Sequence, residues 1–477
     1  MAADPRLFAE LLDDGHTGPV YRRITQAIAT AVTTGRLVAG DRLPTHRELA
    51  RELGIAVPTV SRGYREAEQQ GLISSTVGRG TFVSGVSGIP HLRDTPETGH
   101  DASVRQIDMA VNAPARGMMH DELLRRAITA VAATAAPDAL LGYESDIGTY
   151  EQRLAACRWL AHSGLDTKPG QVAICHGSQH ALLVALAATL RPGETLLTEA
   201  LTYPGAKSAA RLLGLSIQAV AMDAHGLIPE ALEKACASAS APRVLYCMPT
   251  AHNPTAITLT PERRQAIVNI ARRHNLFIIE DDVFGLLAED THASPLAMLA
   301  PERTLFLTSL SKTLSPGLRC GFLAGPPQMT DRIGALIRAT IFNPSPLATA
   351  VAMRWLADGT ADRLLDWQRD EMARRRTAAE HLLLPNPAVA GVRTAALHAW
   401  VELHQPWSAS EVATLAGGLG ISISPTRNFA ATDQAIPQGV RLCLGNAVDV
   451  GTLTTTLRTL ADGLERGRPT WASSTRV

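Results

Sequence analysis

Four short apolar runs, at residues 172–175, 244–248, 276–279 and 305–308, each break off into a polar loop, with stretches of helical spacing between them. No other feature of the chain constrains its fold as strongly. Strands alternating with helices imply a mostly parallel sheet covered by helices, and ligands of such sheets gather at the carboxyl ends of the strands. The loops after the four runs are therefore where chemistry is expected. One of them reads Ser309-Leu310-Ser311-Lys312-Thr313-Leu314-Ser315-Pro316-Gly317-Leu318-Arg319 and spends one of only four lysines, against 41 arginines. The other three lysines have ordinary settings: Lys168 in a Thr-Lys-Pro-Gly turn, Lys207 after Tyr-Pro-Gly, and Lys234 on a helix. A solvated loop lysine is the plain alternative for Lys312. An amine is required, however, wherever an imine must form, because a guanidinium cannot form one. The amine must also lose its proton near neutral pH, which a dry pocket and a nearby cation favour.

The Lys312 segment resembles the cofactor-lysine motif of fold-type I pyridoxal 5'-phosphate proteins. That resemblance implies that Lys312 carries the cofactor as an internal aldimine while Ser309 and Arg319 hold its phosphate. The other loops add what such a cofactor needs. His176-Gly177-Ser178-Gln179-His180 opens a helix whose free backbone N–H groups suit a phosphate, with Ser178 and Gln179 as contacts. Pro249-Thr250-Ala251-His252-Asn253-Pro254-Thr255 places Asn253, whose amide can donate to a phenolate oxygen. In Glu280-Asp281-Asp282-Val283-Phe284 a carboxylate keeps the pyridine nitrogen protonated; Asp281 is assigned, with Asp282 as the alternative. Tyr203, in Thr202-Tyr203-Pro204-Gly205, would stack on the ring. Each element alone has an ordinary explanation in turn or strand-end chemistry, but their order is hard to obtain by accident.

From Tyr143 to about Asn446 the chain is similar to class I aminotransferases. The stretch Gly142-Tyr143-Glu144-Ser145-Asp146-Ile147-Gly148 implies that Tyr143 reaches the phosphate of a neighbouring subunit, so the site would be completed in a homodimer. Arg441, in Val440-Arg441-Leu442-Cys443, matches the arginine that clamps a substrate carboxylate, where a planar fork suits the anion. One departure stands out. The family places a tyrosine two or three residues after the pyridine aspartate, and this chain has Val283 and Phe284 there, which puts fast transamination in doubt but not cofactor binding.

The first 85 residues are a different object. Tyr21, Ile24, Ile28, Ala31 and Val32 mark one amphipathic helix. Thr45 and Glu48 form a capping-box pattern that opens a second helix, ended by Gly54. A third is expected over 58–70, followed by two strands around Gly78-Arg79-Gly80. Three helices and a glycine-tipped hairpin make a winged helix-turn-helix. Residues 18–85 carry nine arginines and five acids, a local +4 within a chain of formal net charge zero. Gly40-Asp41-Arg42-Leu43-Pro44-Thr45-His46-Arg47-Glu48-Leu49-Ala50, Thr59-Val60-Ser61-Arg62-Gly63-Tyr64 and Gly78-Arg79-Gly80-Thr81-Phe82-Val83 resemble the GntR DNA-binding domain. By that resemblance Arg47, Thr59, Ser61, Arg62 and Arg79 contact double-stranded promoter DNA. Val57 stands where the family often has a basic residue, and Gly63 inside the third helix is expected to soften it by about 1 kcal/mol.

Residues 86–105, rich in Gly, Ser, Pro, His and Asp, read as a flexible linker to a body over 106–465, and 466–477 as a disordered tail. The six cysteines are dispersed without a C-x-x-C, so neither a metal site nor a disulfide framework is indicated. The absence of a basic-then-apolar leader or a long apolar span points to the cytoplasm. Head, linker and body together resemble the MocR family of bacterial regulators. That implies a dimeric, pyridoxal-phosphate-dependent transcriptional regulator sensing the cofactor or an amino-acid-like effector through the Lys312 aldimine. The competing reading is an aminotransferase acting on a small amino acid, with an accessory or vestigial head.

Overall fold

The computed structural model describes residues 8, 19–33, 36, 37, 40–69, 72–76, 80–83, 107–237, 243–288, 293–432 and 437–467. The chain divides into two compact units, residues 1–95 and 96–477. The expected linker, Arg79 and all but the first two residues of the expected tail lie outside the described residues.

In the first unit the helix Val20–Thr33 buries Ile24, Ala27, Ile28 and Ala31 along one stripe. The helix His46–Leu53 opens with the capping box read from the sequence: the Glu48 amide donates to Thr45 Oγ1 (3.3 Å) and the Thr45 amide to the Glu48 carboxylate (2.8 Å). Gly54 closes it in the left-handed region, φ 64°. The third helix, Val57–Gln69, runs unbroken through Gly63. The expected softening has a different explanation in the fold, because a Cβ at Gly63 would lie 2.9 Å from the Tyr21 carbonyl and 3.0 Å from Ile24 Cβ. The glycine lets the first and third helices touch backbone to backbone, and the Thr25 hydroxyl bonds the Gly63 carbonyl at 3.0 Å. Strands Ile73–Thr76 and Gly80–Val83 pair antiparallel, Ile73 opposite Val83, as the wing.

The second unit holds a seven-stranded sheet. Its order is Val172–Cys175, Gly321–Ala324, Thr304–Ser309, Phe277–Asp281, Val244–Cys247, Thr195–Glu199, Ser216–Val220. Only Gly321–Ala324 runs antiparallel to its neighbours. The apolar runs are buried strands, three of them central and Val172–Cys175 at the sheet's edge, which is why they are continuous rather than alternating. A four-stranded antiparallel sheet, Val389–Ala395, His398–Leu403, Gly439–Cys443 and Ser424–Pro425, lies downstream. The helices Thr360–Leu383 and Val450–Arg466 pack on one another beside it. Residues 107 and 108 join the short strand Ile421–Ser422 in parallel, so the beginning of this unit is stitched to its end. No described helix is long and apolar enough to cross a membrane.

Candidate functional site

The carboxyl ends of the central strands converge as the parallel topology requires. At one end of the site, Gly177 begins the helix Gly177–Thr189 with φ 78°, and Arg319 lies across that helix start, its Nη2 donating to the His176 carbonyl at 3.3 Å. A Cβ on Gly177 would come within 2.7 Å of this guanidinium, and one on Gly321 within 2.6 Å of the Gly177 carbonyl carbon. The two glycines thus make room for a cation at the positive end of a helix. Like charge there is unfavourable by itself and favourable around an anion. No carboxylate among the described residues ion-pairs with Arg319. Ser309, buried at the end of its strand, caps the turn Leu310–Thr313 by accepting from the Ser311 amide at 3.4 Å. The hydroxyls of Ser311 and Thr313 in that turn are buried without a partner among the described residues. Ser178 is half-buried in the first turn of the opposite helix.

In the middle of the site, Asp281 is buried and receives the Tyr246 hydroxyl on Oδ2 at 2.7 Å and the Val283 amide on Oδ1 at 3.4 Å. Burial pushes its carboxyl up to about 6, against those two hydrogen bonds and the charge of Lys312. Asp282 belongs to a different environment, facing Thr250, Glu280 and Arg264, and burial holds its carboxyl well above the usual range. Of the two aspartates, Asp281 is the one that interacts with the charge of Lys312. Lys312 donates its Nζ to the Asn112 carbonyl, and burial lowers the ammonium to about 8. The Tyr203 phenol is raised to about 12 by burial and stays neutral. Gly205 fits under its ring only because it has no side chain. Gln179 donates to the Gly205 carbonyl at 3.0 Å, and its Oε1 is buried and unpartnered among the described residues.

At the far end Arg441 is buried, stacked 4.9 Å from the Phe429 ring centre. It donates to Asn253 Oδ1 at 2.8 Å, to the Ala110 carbonyl and to Ser424 Oγ at 3.4 Å, while its Nε has no partner among the described residues. With Oδ1 accepting from Arg441, Asn253 keeps its NH2 group for a ligand. Three cations and one aspartate at this site match a ligand anionic at two places.

Val283 and Phe284 are buried, and the Phe284 ring lies 5.4 Å from the imidazole of His398. The Tyr246 hydroxyl is committed to Asp281, so neither it nor position 284 supplies the missing phenol. Tyr143 is 82% exposed and rests on Phe342, itself exposed, with ring centres 4.7 Å apart. Tyr246, Asn112 and His398 escaped the sequence reading. A tyrosine inside an otherwise aliphatic buried strand was the one available signal; Asn112 and His398 carried none.

In the head Arg47 is exposed on the second helix, and Arg62 is exposed on the third, its guanidinium 3.9 Å from the Tyr21 ring centre. Thr59 is half-buried beside it. The Ser61 hydroxyl already bonds His46 Nδ1 at 3.0 Å.

Residues 104–458 match the family of aminotransferases class I and II. The chain belongs to that family. Residues 20–83 match the bacterial regulatory proteins of the gntR family. The chain is 29% identical to the uncharacterized HTH-type transcriptional regulator YdeF of Bacillus subtilis (strain 168), over 89% of this chain and 90% of that one. It is 27% identical to the uncharacterized HTH-type transcriptional regulator YdcR of Escherichia coli (strain K12), over 86% and 92%. The body is similar to the α-aminoadipate aminotransferase LysN of Thermus thermophilus in complex with N-(5'-phosphopyridoxyl)-L-leucine. That likeness has a TM-score of 0.69 and 25% identity, and covers 76% of this chain and 92% of that one. An archaeal alanine:glyoxylate aminotransferase shares the fold, with TM-score 0.71 and 21% identity over 77% and 92%. The chain thus has the architecture of a pyridoxal-phosphate-dependent transcriptional regulator of the MocR type. Its residues fit the cofactor. Arg319, the Gly177 helix start and the orphaned Ser311 and Thr313 hydroxyls suit the phosphate; Asp281 suits the pyridine nitrogen and Lys312 the aldehyde.

Proposed function

We propose that this protein is a cytoplasmic, homodimeric regulator whose grip on promoter DNA responds to an amino-acid-like effector bound beside its pyridoxal phosphate. When bound, the cofactor supplies an aldehyde that condenses with amines and a ring that draws electrons from them. The protein's residues do the rest. Lys312, lowered to about 8, presents about a tenth of its amine in neutral form at pH 7, far more than an ordinary lysine. Arg441 and Asn253 hold a carboxylate, since a carboxylate makes stronger hydrogen bonds to a guanidinium than the neutral carbonyl now occupying it. Tyr246 keeps Asp281 oriented. Phe284 leaves the site without the hydroxyl that fast transamination uses, which favours sensing over turnover. Arg47, Thr59, Arg62 and Arg79 are the proposed DNA contacts, with Ser61 assisting through its pairing with His46. Tyr143, with 82% of its surface open, is available to a second copy of the chain.

The observation that supports the reading is the presence, in one chain, of a GntR-type head and an aminotransferase-type body in which Asp281, Lys312 and Arg441 are buried at the strand ends. The test is fluorescence anisotropy on the DNA upstream of the protein's own gene, with the holoprotein, titrating the standard amino acids one at a time. At least one should shift DNA affinity severalfold without being consumed over many cycles. Sustained conversion of an amino acid and a 2-oxo acid, with DNA affinity unmoved, would establish the enzyme instead.

A further inference from the structure

Residues 107–113 are the first described residues of the second unit, and residues 84–106 join them in sequence to the head's last strand. Asp108 shapes them: its Oδ1 accepts from the Ala110 amide at 2.8 Å and the Val111 amide at 3.1 Å, turning the chain so that successive carbonyls face the site. Four consecutive carbonyls are then taken by donors from the far end of the sequence or from the lysine turn. Met109 accepts from the Cys443 amide at 2.7 Å, and Val111 from the Asn446 side chain at 2.8 Å. Ala110 accepts from Arg441 and, more weakly, from the Ser424 hydroxyl at 3.3 Å, and Asn112 accepts from Lys312. The Asn112 side chain adds bonds to His398 and to the Cys443 thiol, both at 3.3 Å.

The donors fall into two kinds. Cys443 N–H and the Asn446 side chain have no other hydrogen-bond partner among the described residues. Arg441 and Lys312 are the groups that the proposed function requires for the effector's carboxylate and for the cofactor. We infer that residues 107–113 form a ligand-sensing strap, clasped at Ala110 by Arg441 and released when an effector carboxylate takes that guanidinium, so that the signal enters the chain at the segment leading to the head. The inference rests on the function proposed above and names its regulation. A carboxylate competes well for this donor because its charge-assisted hydrogen bonds are roughly twice as strong as those of a neutral carbonyl. The Asn446 and Cys443 bonds keep the strap seated, so release loosens it rather than unfolding it.

Two probes isolate the carboxylate: N-(5'-phosphopyridoxyl)-L-alanine and N-(5'-phosphopyridoxyl)-ethylamine, identical except for that group. Hydrogen–deuterium exchange is measured on the full-length protein saturated with each, binding being checked by pyridoxyl fluorescence. Peptides covering 107–113 should exchange severalfold faster with the alanine adduct than with the ethylamine adduct, while peptides covering 304–309 match in the two complexes. An Arg441→Gln variant should erase the difference. Equal strap exchange in two complexes that both form overturns the strap and leaves the proposed function standing. If neither adduct binds, the cofactor reading fails and takes the strap with it.

Discussion

In the head, several polar groups close on partners within forty positions: the Tyr64 hydroxyl on the Pro44 carbonyl at 2.9 Å, Thr25 on Gly63, Ser61 on His46. In the body's site, Arg441 reaches Asn253 and Ala110, 188 and 331 positions away, and Lys312 reaches Asn112, 200 away. There Arg441 Nε, Gln179 Oε1 and the Ser311 and Thr313 hydroxyls stay open among the described residues. A satisfied polar network stiffens a reading surface, whereas buried groups left open lower stability until a ligand completes them. The titrating groups agree. Lys312 has a folded value of about 8, below its ordinary 10.5, because burial destabilises its charged form. The resulting destabilisation is full below about pH 8 and fades toward 10.5. Asp281, raised to about 6 from 3.8, is the mirror case: its destabilisation is absent at low pH and complete above about 6. Both are in force at neutral pH, and both are relieved by a ligand that carries a cationic ring nitrogen and an aldehyde.

The contrast can be broken most severely at Lys312. Lys312→Ala should lose the visible absorption of the bound cofactor completely, and borohydride reduction of the native protein should label the peptide containing Lys312; a label elsewhere would misplace the site. In the head, Arg62→Ala should weaken promoter binding by about 1–3 kcal/mol and flatten its salt dependence while the cofactor spectrum stays as it was. Unimpaired affinity would remove the third helix from the interface. The pH dependence is a finer test. The rate of cofactor incorporation into the apoprotein should rise about tenfold per pH unit and level off near pH 8, as the neutral fraction of Lys312 does. A rise continuing past pH 10 would mean that burial does not govern this amine. Gly63→Ala is the smallest change. Crowding against the Tyr21 carbonyl costs about 1–3 kcal/mol and better helix propensity returns about 1, so the head's thermal transition should fall slightly and the body's stay put.

Much of this was legible in the sequence because it is written locally. The capping box needs only Thr45 and Glu48, the wing only two short strands around a glycine pair, and the central strands only uninterrupted apolar runs. In the site, expectations could be drawn at Asp281, Asn253 and Lys312 for the same reason: each lies at, or within a few residues of, the end of a recognisable strand. Tyr246, Asn112 and His398 were not legible, since their roles arise from contacts between strands and segments brought together by topology alone. The packing role of Gly63 was hidden on the same ground. Its helix propensity is a local property, but its use is set by the first helix, some forty residues earlier.

Arg319 sits at φ 46°, in the left-handed region where a side chain costs about 1–2 kcal/mol and glycine almost nothing. Arg319→Gly would therefore relax the main chain at the very place where it emptied the anion cradle. A thermal-shift screen for sturdier variants is apt to favour that exchange, and selection for robustness alone would drift toward a protein that folds better and senses nothing.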